Sequence, residues 1–477
     1  MNADVNAGDA LPRLPAQRID ASGRAQVDLR SVLALALPLF WANAIQTILG
    51  LTDIWFAGRL STQAVAAVGA VHWIGLVVVL ILSGVGAVVQ TVAAQAHGSR
   101  RHARASRSVW IALWGVLCTA PIFFAVALSG HWVLRPFALD PGIEKLALEF
   151  WFPRLAGGPL GVAVWAMQGF FNGIGRPRLS VAISVPIVLI NIGLGQLFIF
   201  KFGWGVAGAA WATNVAQAVG LALALAIFLQ TQYRREYRSH LTWRPNAALL
   251  WRQLKLGFAM DLLYAADLLA LSIFQFMQVR LGAANGAASQ IVLILDSVVY
   301  LPGFGIALAG TTLVGQAIGA GDRNWALTLG TRVILLNACV MGGLALMIAI
   351  MGPWLLPLFI GAHDAQAATV VELGTRLLWI SVVYQVFEAL NLGAGLCLRG
   401  AGDAKVPALL VALLTWFLFI PLAHALTFAP GEGWFDLLPQ AGWGLVGGWT
   451  AVAVYLAVLG TLLFIRWRSM AWRYIRI

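Results

Sequence analysis

The chain has 477 residues, of which 60% are hydrophobic and only 10% charged, far below the roughly 25% charged of soluble domains. That balance excludes an ordinary soluble enzyme, and apolar stretches of about 20 residues or more, each able to cross a ~30 Å hydrocarbon core, recur along nearly the whole length. The net charge of +12 sits in the short loops between those stretches, which excludes a nucleic-acid surface and marks membrane topology instead.

Residues 1–30 carry Arg13, Arg18, Arg24 and Arg30 but no apolar core of signal-peptide length. A disordered cytoplasmic tail without cleavage is expected there. The first span, near 31–58, holds Pro38, which frees a carbonyl and permits a bend. It also holds a polar stripe, because Asn43, Gln46, Gly50 and Asp53 recur along one helix face. At about 1.5 Å per residue, Asp53 is some 30 Å along the helix, toward the outer side. A carboxylate at membrane depth costs about 2.5–3.5 kcal/mol on insertion scales, so it needs a function or a partner. The plainer alternative is an interfacial aspartate capped by the next loop.

Spans two to six fall near 66–96, 109–130, 146–171, 179–201 and 205–230. Arg100, Arg101, Arg104 and Arg107 follow the second, and Arg176 and Arg178 the fourth. Asn191, Gln196, Thr213, Asn214 and Gln217 in the fifth and sixth spans either line a cavity or bridge helices. The basic segment 231–252, with Arg234, Arg235, Arg238 and Arg244, is the expected linker between two halves.

Spans seven to twelve fall near 253–279, 286–316, 328–350, 371–398, 406–428 and 442–465. They contain Asp261, Asp267, Asp296 and Glu388 and no centrally placed lysine, a pattern that suggests a cavity attracting cations. Asp267 lies about 20 Å and Glu388 about 16 Å from the same membrane surface, on helices running in opposite directions. Two carboxylates at matching depth either share a proton or jointly hold a cation. Gln385, Glu388 and Asn391 share a helix face, with the Tyr384 and Tyr264 hydroxyls nearby. Asp296, in mid-span, is a further candidate for the cavity lining, whereas Asp261 is near a span end, where water reaches it. His72 and His424 have no second metal-ligating residue at useful spacing and are read as structural. Cys118, Cys339 and Cys397 lie inside spans and imply no disulfide framework. Trp132, Trp151, Trp204, Trp354 and Trp443 near span ends are expected to anchor at the interface.

Most of the basic residues, those just named together with Arg252, Lys255, Arg323, Arg332, Arg399, Lys405, Arg466, Arg468, Arg473 and Arg476, fall on one side. Only Arg59, Arg135, Lys145, Arg154, Lys201, Arg280 and Arg376 fall on the other. The positive-inside rule then places both termini in the cytoplasm.

The chain also repeats itself. Leu60-Ser-Thr-Gln-Ala-Val-Ala-Ala-Val-Gly69 and Gln95-Ala-His-Gly98 correspond, at one constant offset, to Leu281-Gly-Ala-Ala-Asn-Gly-Ala-Ala-Ser-Gln290 and Gln316-Ala-Ile-Gly319. Asn172-Gly-Ile-Gly-Arg-Pro-Arg178 corresponds to Arg399-Gly-Ala-Gly-Asp-Ala-Lys405. Duplication of this length in an apolar chain is the mark of a secondary transporter whose halves rock about a central cavity. The expected fold is an all-α integral membrane protein. Its twelve transmembrane helices form two pseudo-symmetric six-helix lobes, 31–230 and 253–466, flanked by tails 1–30 and 467–477.

With Ala36-Leu-Pro38, Gly50-Leu-Thr-Asp53, both Gln-Ala-x-Gly segments, Gly205-Val-Ala-Gly-Ala-Ala-Trp-Ala-Thr213 and Leu398-Arg-Gly-Ala-Gly-Asp-Ala-Lys405, the chain resembles the multidrug and toxic compound extrusion (MATE) family over 31–466, nearest its NorM-type branch. The resemblance implies an antiporter of the bacterial inner membrane that exports cationic amphiphilic compounds against a proton or sodium gradient. It implies a monomer whose partners are small molecules and the bilayer, with no cofactor beyond the coupling ion and no nucleic acid. Asp53, Asn191 and Thr213 match the family's amino-lobe cation site, and Asp267, Glu388 and Tyr384 its carboxy-lobe acids and tyrosine. A sodium ion, if it is the coupling ion, would fall at Asp267 and Glu388 or at Asp53. Where some members carry a further aspartate, this chain has Gly195. A lipid-linked precursor flippase is disfavoured by the acidic intramembrane charges, and an intramembrane enzyme by the lack of nucleophile or metal-protease motifs. A passive channel is separable by dye efflux that survives collapse of ion gradients.

Overall fold

The computed structural model describes residues 14–20, 22–135, 140–359, 366–434 and 439–475; within its helices, the side chains of 62, 70, 73, 259–264, 267 and 283 are outside the described set. A short antiparallel hairpin, β1 (Gln17–Ile19) and β2 (Ala25–Val27), precedes α1 (Leu29–Leu60) and α2 (Thr62–Gly98). There follow α3 (His102–Leu128), the single turn α4 (Gly130–Leu134), α5 (Pro141–Ala156), α6 (Gly158–Gly173), α7 (Pro177–Gln196), α8 (Gly205–Phe228) and the linker turn α9 (Thr231–Glu236). The second half contains α10 (Ala247–Arg280), α11 (Ala283–Gly319), α12 (Arg323–Leu355), α13 (Ala367–Ala401), α14 (Lys405–Leu414), α15 (Ile420–Thr427) and α16 (Gly444–Arg468).

All twelve expected spans are present. Among the described residues, ten helical stretches are long and apolar enough to cross a membrane by themselves. The other two spans are α10 and the broken pair α5–α6. That break has a local cause. Pro159 withholds a backbone donor just after it, and Asn214 Nδ2 donates to the Pro153 carbonyl at 2.6 Å, tying α8 to the last turn of α5. A Cβ at Gly157 would overlap the Asn214 amide, so the chain needs glycine there. The eleventh span is likewise α14 and α15 joined by a π-helical turn, Thr415–Phe419, and α7 ends in a matching turn, Leu197–Lys201.

Helices begin where short polar side chains cap them. Asp28 Oδ1 accepts from Arg30 N, Ser61 Oγ from Ala64 N, Asn246 Oδ1 from Leu249 N and Asp322 Oδ1 from Trp325 N, each at 2.8–3.1 Å. Such caps satisfy the free amides of a first turn and contribute about 1 kcal/mol each.

Each half contributes its first helix to the other. Val32, Leu35, Ala36 and Leu39, on the first turns of α1, pack in the same core as α11, α12, α13 and α16. Leu254 on α10 packs against the core of the first half. The close crossings repeat with the sequence. A Cβ at Gly84 on α2 would overlap the Gly257 backbone on α10, and one at Gly305 on α11, the repeat counterpart of Gly84, would press on Ala36 O and Phe40 N of α1. Pro38 lies at that second crossing.

Three features at the basic end add to the expected outline. Within the amino-terminal tail, the described residues 14–20 and 22–28 form a hairpin pinned to the second half, because Trp325 Nε1 donates to Pro15 O at 3.0 Å and Leu14, Ala16 and Val27 pack on its core. The linker is shorter than 231–252, since α10 starts at Ala247. The carboxy-terminal segment turns back, stacking Trp472 on Trp467 with centroids 4.9 Å apart. Trp132, Trp204, Trp354 and Trp443 are exposed as membrane anchors should be, but Trp151 is buried with its Nε1 donating to Val126 O.

The glycine crossings set how closely the halves approach. Gly84→Val should lower the thermal midpoint of the detergent-solubilised protein, since forced overpacking costs about 1–3 kcal/mol. Gly343→Val, at a glycine with open space around it, should not. Equal midpoints for both variants would show that the α2–α10 crossing is not tight.

Candidate ion sites in the two lobes

In the first half, α1, α7 and α8 converge on one buried carboxylate. Asp53 is 4% exposed. Thr213 Oγ1 lies 3.2 Å from Asp53 Oδ1, and Asn191 Nδ2 donates to Thr213 Oγ1 at 2.9 Å. Asn191 Oδ1 is buried with no hydrogen-bond partner. The three residues expected together are therefore together. A carboxylate, a hydroxyl and an amide oxygen form a hard-oxygen set, which fits a proton or a small cation such as sodium. Arg154 on α5 is close enough to act on Asp53, an interaction that its place among the outer-side cations does not reveal. The interfacial-cap alternative for Asp53 fails, because its partners come from two other helices rather than from the following loop.

The family's missing aspartate has a structural counterpart. A Cβ at Gly195 would overlap the Phe56 ring, which occupies the space on α1 one turn beyond Asp53. Gly195 is thus matched to Phe56, and a carboxylate cannot enter without moving a buried ring.

In the second half, α11 and α13 build a different arrangement. Asp296, 7% exposed, accepts a short hydrogen bond from the Tyr384 hydroxyl. Gln385 and Ser381 also hydrogen-bond to it. Ser381, Tyr384, Gln385 and Glu388 follow helical spacing, so that stripe was readable and Ser381 was missed. The Tyr384 ring lies 5.9 Å from Trp449 of α16, which nothing in the sequence tied to it. Glu388 accepts from Asn391 Nδ2 at 3.0 Å and borders a cavity of about 300 Å³ that Tyr300, Asn391 and Arg399 also line. Asp261, Tyr264 and Asp267 lie on α10, and their side chains are outside the described residues. Gln46 faces inward on α1 with Nε2 buried and unpaired among the described residues. His424 is structural, accepting from Trp434 N at 2.9 Å.

The two sites are not copies. At the repeat offset, Asp53 corresponds to Phe274 and Asp296 to Gly75. What is duplicated is the closure between the halves. Gln95 Nε2 donates to Gly400 O at 3.0 Å, and its counterpart Gln316 Nε2 donates to Gly173 O, the counterpart of Gly400, at 2.9 Å. Gly98 and Gly319 let the backbones of α2 and α11 meet, since a Cβ on either would overlap the other's glutamine. Gln90 Nε2 reaches Leu308 O and Thr312 Oγ1, Thr312 Oγ1 donates to Asn172 O, and Arg399 donates to Ala87 O.

Two six-helix lobes, duplicated closure and buried oxygen-rich sites define a multi-pass membrane protein of transporter architecture. The MatE family model matches residues 38–197 and 267–424, and the chain belongs to that family. It is 28% identical over 450 residues to a probable multidrug resistance protein NorM of Bradyrhizobium diazoefficiens, covering 92% of this chain and 93% of that one. It is 26% identical over 465 residues to the multidrug resistance protein PmpM of Pseudomonas aeruginosa, covering 93% of each. Among solved structures, a MATE protein in the straight conformation superposes with a TM-score of 0.80 at 20% identity, and an outward-facing multidrug resistance MATE family transporter with 0.79 at 19%. Each covers 92% of this chain and 95% of the other.

Gly195→Asp alone should destabilise the protein, and Phe56→Ala in the same chain should recover much of that loss by vacating the ring's space. Thermal midpoints of the single and double variants measure it. A Gly195→Asp protein as stable as the parent would contradict the packing account.

Proposed function

We propose that the chain exports cationic amphiphilic compounds from the cytoplasm by alternating access, driven by a proton or sodium ion taken up at Asp53. The carrying observation is the Asp53–Thr213–Asn191 cluster, a buried carboxylate with an orphaned amide oxygen beside it where three helices meet. The multidrug resistance names of the relatives support export of drugs, and the acidic groups of both lobes favour cationic ones. The orientation follows from charge: the basic end, where the repeats close the lobes, faces the cytoplasm, and the closed state is then outward-facing. The host membrane is the bacterial inner membrane, with both termini inside, and the transporter works as a monomer.

In this reading, ion binding at Asp53 neutralises a charge whose burial is costly and thereby changes how α1 packs against α7 and α8. That shift biases the equilibrium between the closed and open basic end. Asp296 and Glu388, with Tyr384 and Asn391, give the second lobe acidic surface for a cationic substrate. A bound ion can shift the equilibrium only by its differential affinity for the two states. The available drive is about 2.3 kcal/mol per elementary charge for each 100 mV.

The test uses purified protein in liposomes, with cationic dye transport measured under a pH gradient alone and then a sodium gradient alone. One gradient should drive transport, and Asp53→Asn should reduce it at least tenfold while leaving the protein folded. Transport by Asp53→Asn at the parental rate would remove the site from the mechanism. In the same assay, Glu388→Gln and Asp267→Asn should each impair transport, and the double variant should be little worse than either, as for residues acting as one unit. Additive losses would show two independent sites.

A further inference from the structure

We propose that His97, His102 and Glu236, at the basic end of the first lobe, form a binding site for a divalent transition-metal ion of the zinc class. His97 ends α2, His102 opens α3 and Glu236 closes the linker turn α9, so three separate elements supply the donors. One ligand atom from each lies within 4.8 Å of the others, and His102 Nδ1 is 4.0 Å from Glu236 Oε1. The imidazole centroids are 5.5 Å apart, close to the ~5 Å expected of two rings sharing a tetrahedral ion at Zn–N of about 2.0–2.1 Å. Closing the donor set needs a movement of about an ångström on that same geometry, and Glu236, on a short linker turn and about one-third exposed, would supply it by exchanging its hydrogen bond with Tyr237 for the ion.

Two further observations point to a ligand. His102 Nδ1 is buried and has no hydrogen-bond partner, so a donor atom is already aimed into the cluster. His97 is held from behind, its Nδ1 2.8 Å from the Tyr237 hydroxyl, which leaves Nε2 as the atom it offers. A hydrogen bond that orients the non-ligating nitrogen is the usual support of a metal-bound histidine. Arg176, a cation that acts on His97, is itself engaged, donating to Tyr233 Oη at 2.9 Å.

The duplication separates this cluster from the closure beside it. Gln95 and Gly98 recur in the second lobe, but His97 is replaced by Ile318 and His102 by Arg323. The closure therefore does not need these imidazoles. Two imidazoles and a carboxylate favour zinc over magnesium or calcium, and three protein ligands leave a position for water, as in exchangeable rather than structural sites. An ion held there would tie the last turn of α2, which carries Gln95, to α3 and the linker.

The test is calorimetric titration of zinc chloride into the full-length protein, free of any affinity tag, in detergent. One ion should bind per chain, and His102→Ala and Glu236→Gln should each weaken it at least tenfold, the lower end of the effect expected for a site's supporting groups. His131→Ala, in another histidine–glutamate pair, at 3.4 Å from Glu144, should leave binding unchanged. Glu236→Gln alters a partly exposed carboxylate, so loss of binding there is not a folding effect. Absence of saturable one-to-one binding up to millimolar zinc, or equal affinity in His102→Ala and Glu236→Gln, would overturn the proposal.

Discussion

The structure depends on a contact that the chain makes with its own repeat. Gln95 and Gln316, each on the last turn of its lobe's second helix, donate across the interface to the carbonyls of Gly400 and Gly173, while Gly98 and Gly319 remove the side chains that would hold the backbones apart. Interhelical hydrogen bonds in membranes average about 0.6 kcal/mol and reach about 1.7. A handful of them is worth a few kcal/mol, comparable to the work of moving one ion across a membrane potential. On the proposed function, a closure of that strength holds and is still within the reach of one coupling ion.

The repeats run parallel, because six crossings return the chain to the side it started from. The same motif therefore closes the same end in both lobes, and the halves are related by an axis along the membrane normal. Chemistry does not follow that symmetry. The first lobe hides its acid on its first span, bonded to α8, and the second hides Asp296 on its second span, bonded to α13. Duplication supplied the scaffold and the latch. The sites diverged upon it, as Phe274 opposite Asp53 and Gly75 opposite Asp296 make plain.

Much of this was legible in the residues. Spans show as apolar length, the closure as a constant-offset repeat, and the Asp53 cluster as a polar stripe joined by resemblance to Asn191 and Thr213. The pairing of Tyr384 with Asp296 was not. Depth along a helix can be counted from its ends, but which neighbour a side chain meets depends on rotation about the axis and on how the helices cross, which spacing along one chain does not fix. The docked hairpin was hidden because a polar, arginine-rich tail looks solvated until Trp325 and the core beneath it are known. The relation of Gly195 to Phe56 needed the packing itself.

The central claim is that the closed basic end must open for transport. With Cys118, Cys339 and Cys397 replaced by alanine, cysteines at Gln90 and Thr312, whose side chains meet across the lobes at 3.1 Å, can be joined through two disulfides by a short bis-methanethiosulfonate. Gradient-driven dye transport in liposomes is then followed before cross-linking, after it, and after reduction. The account predicts that cross-linking stops transport and reduction restores it. Transport that continues at the original rate with the lobes locked would contradict it.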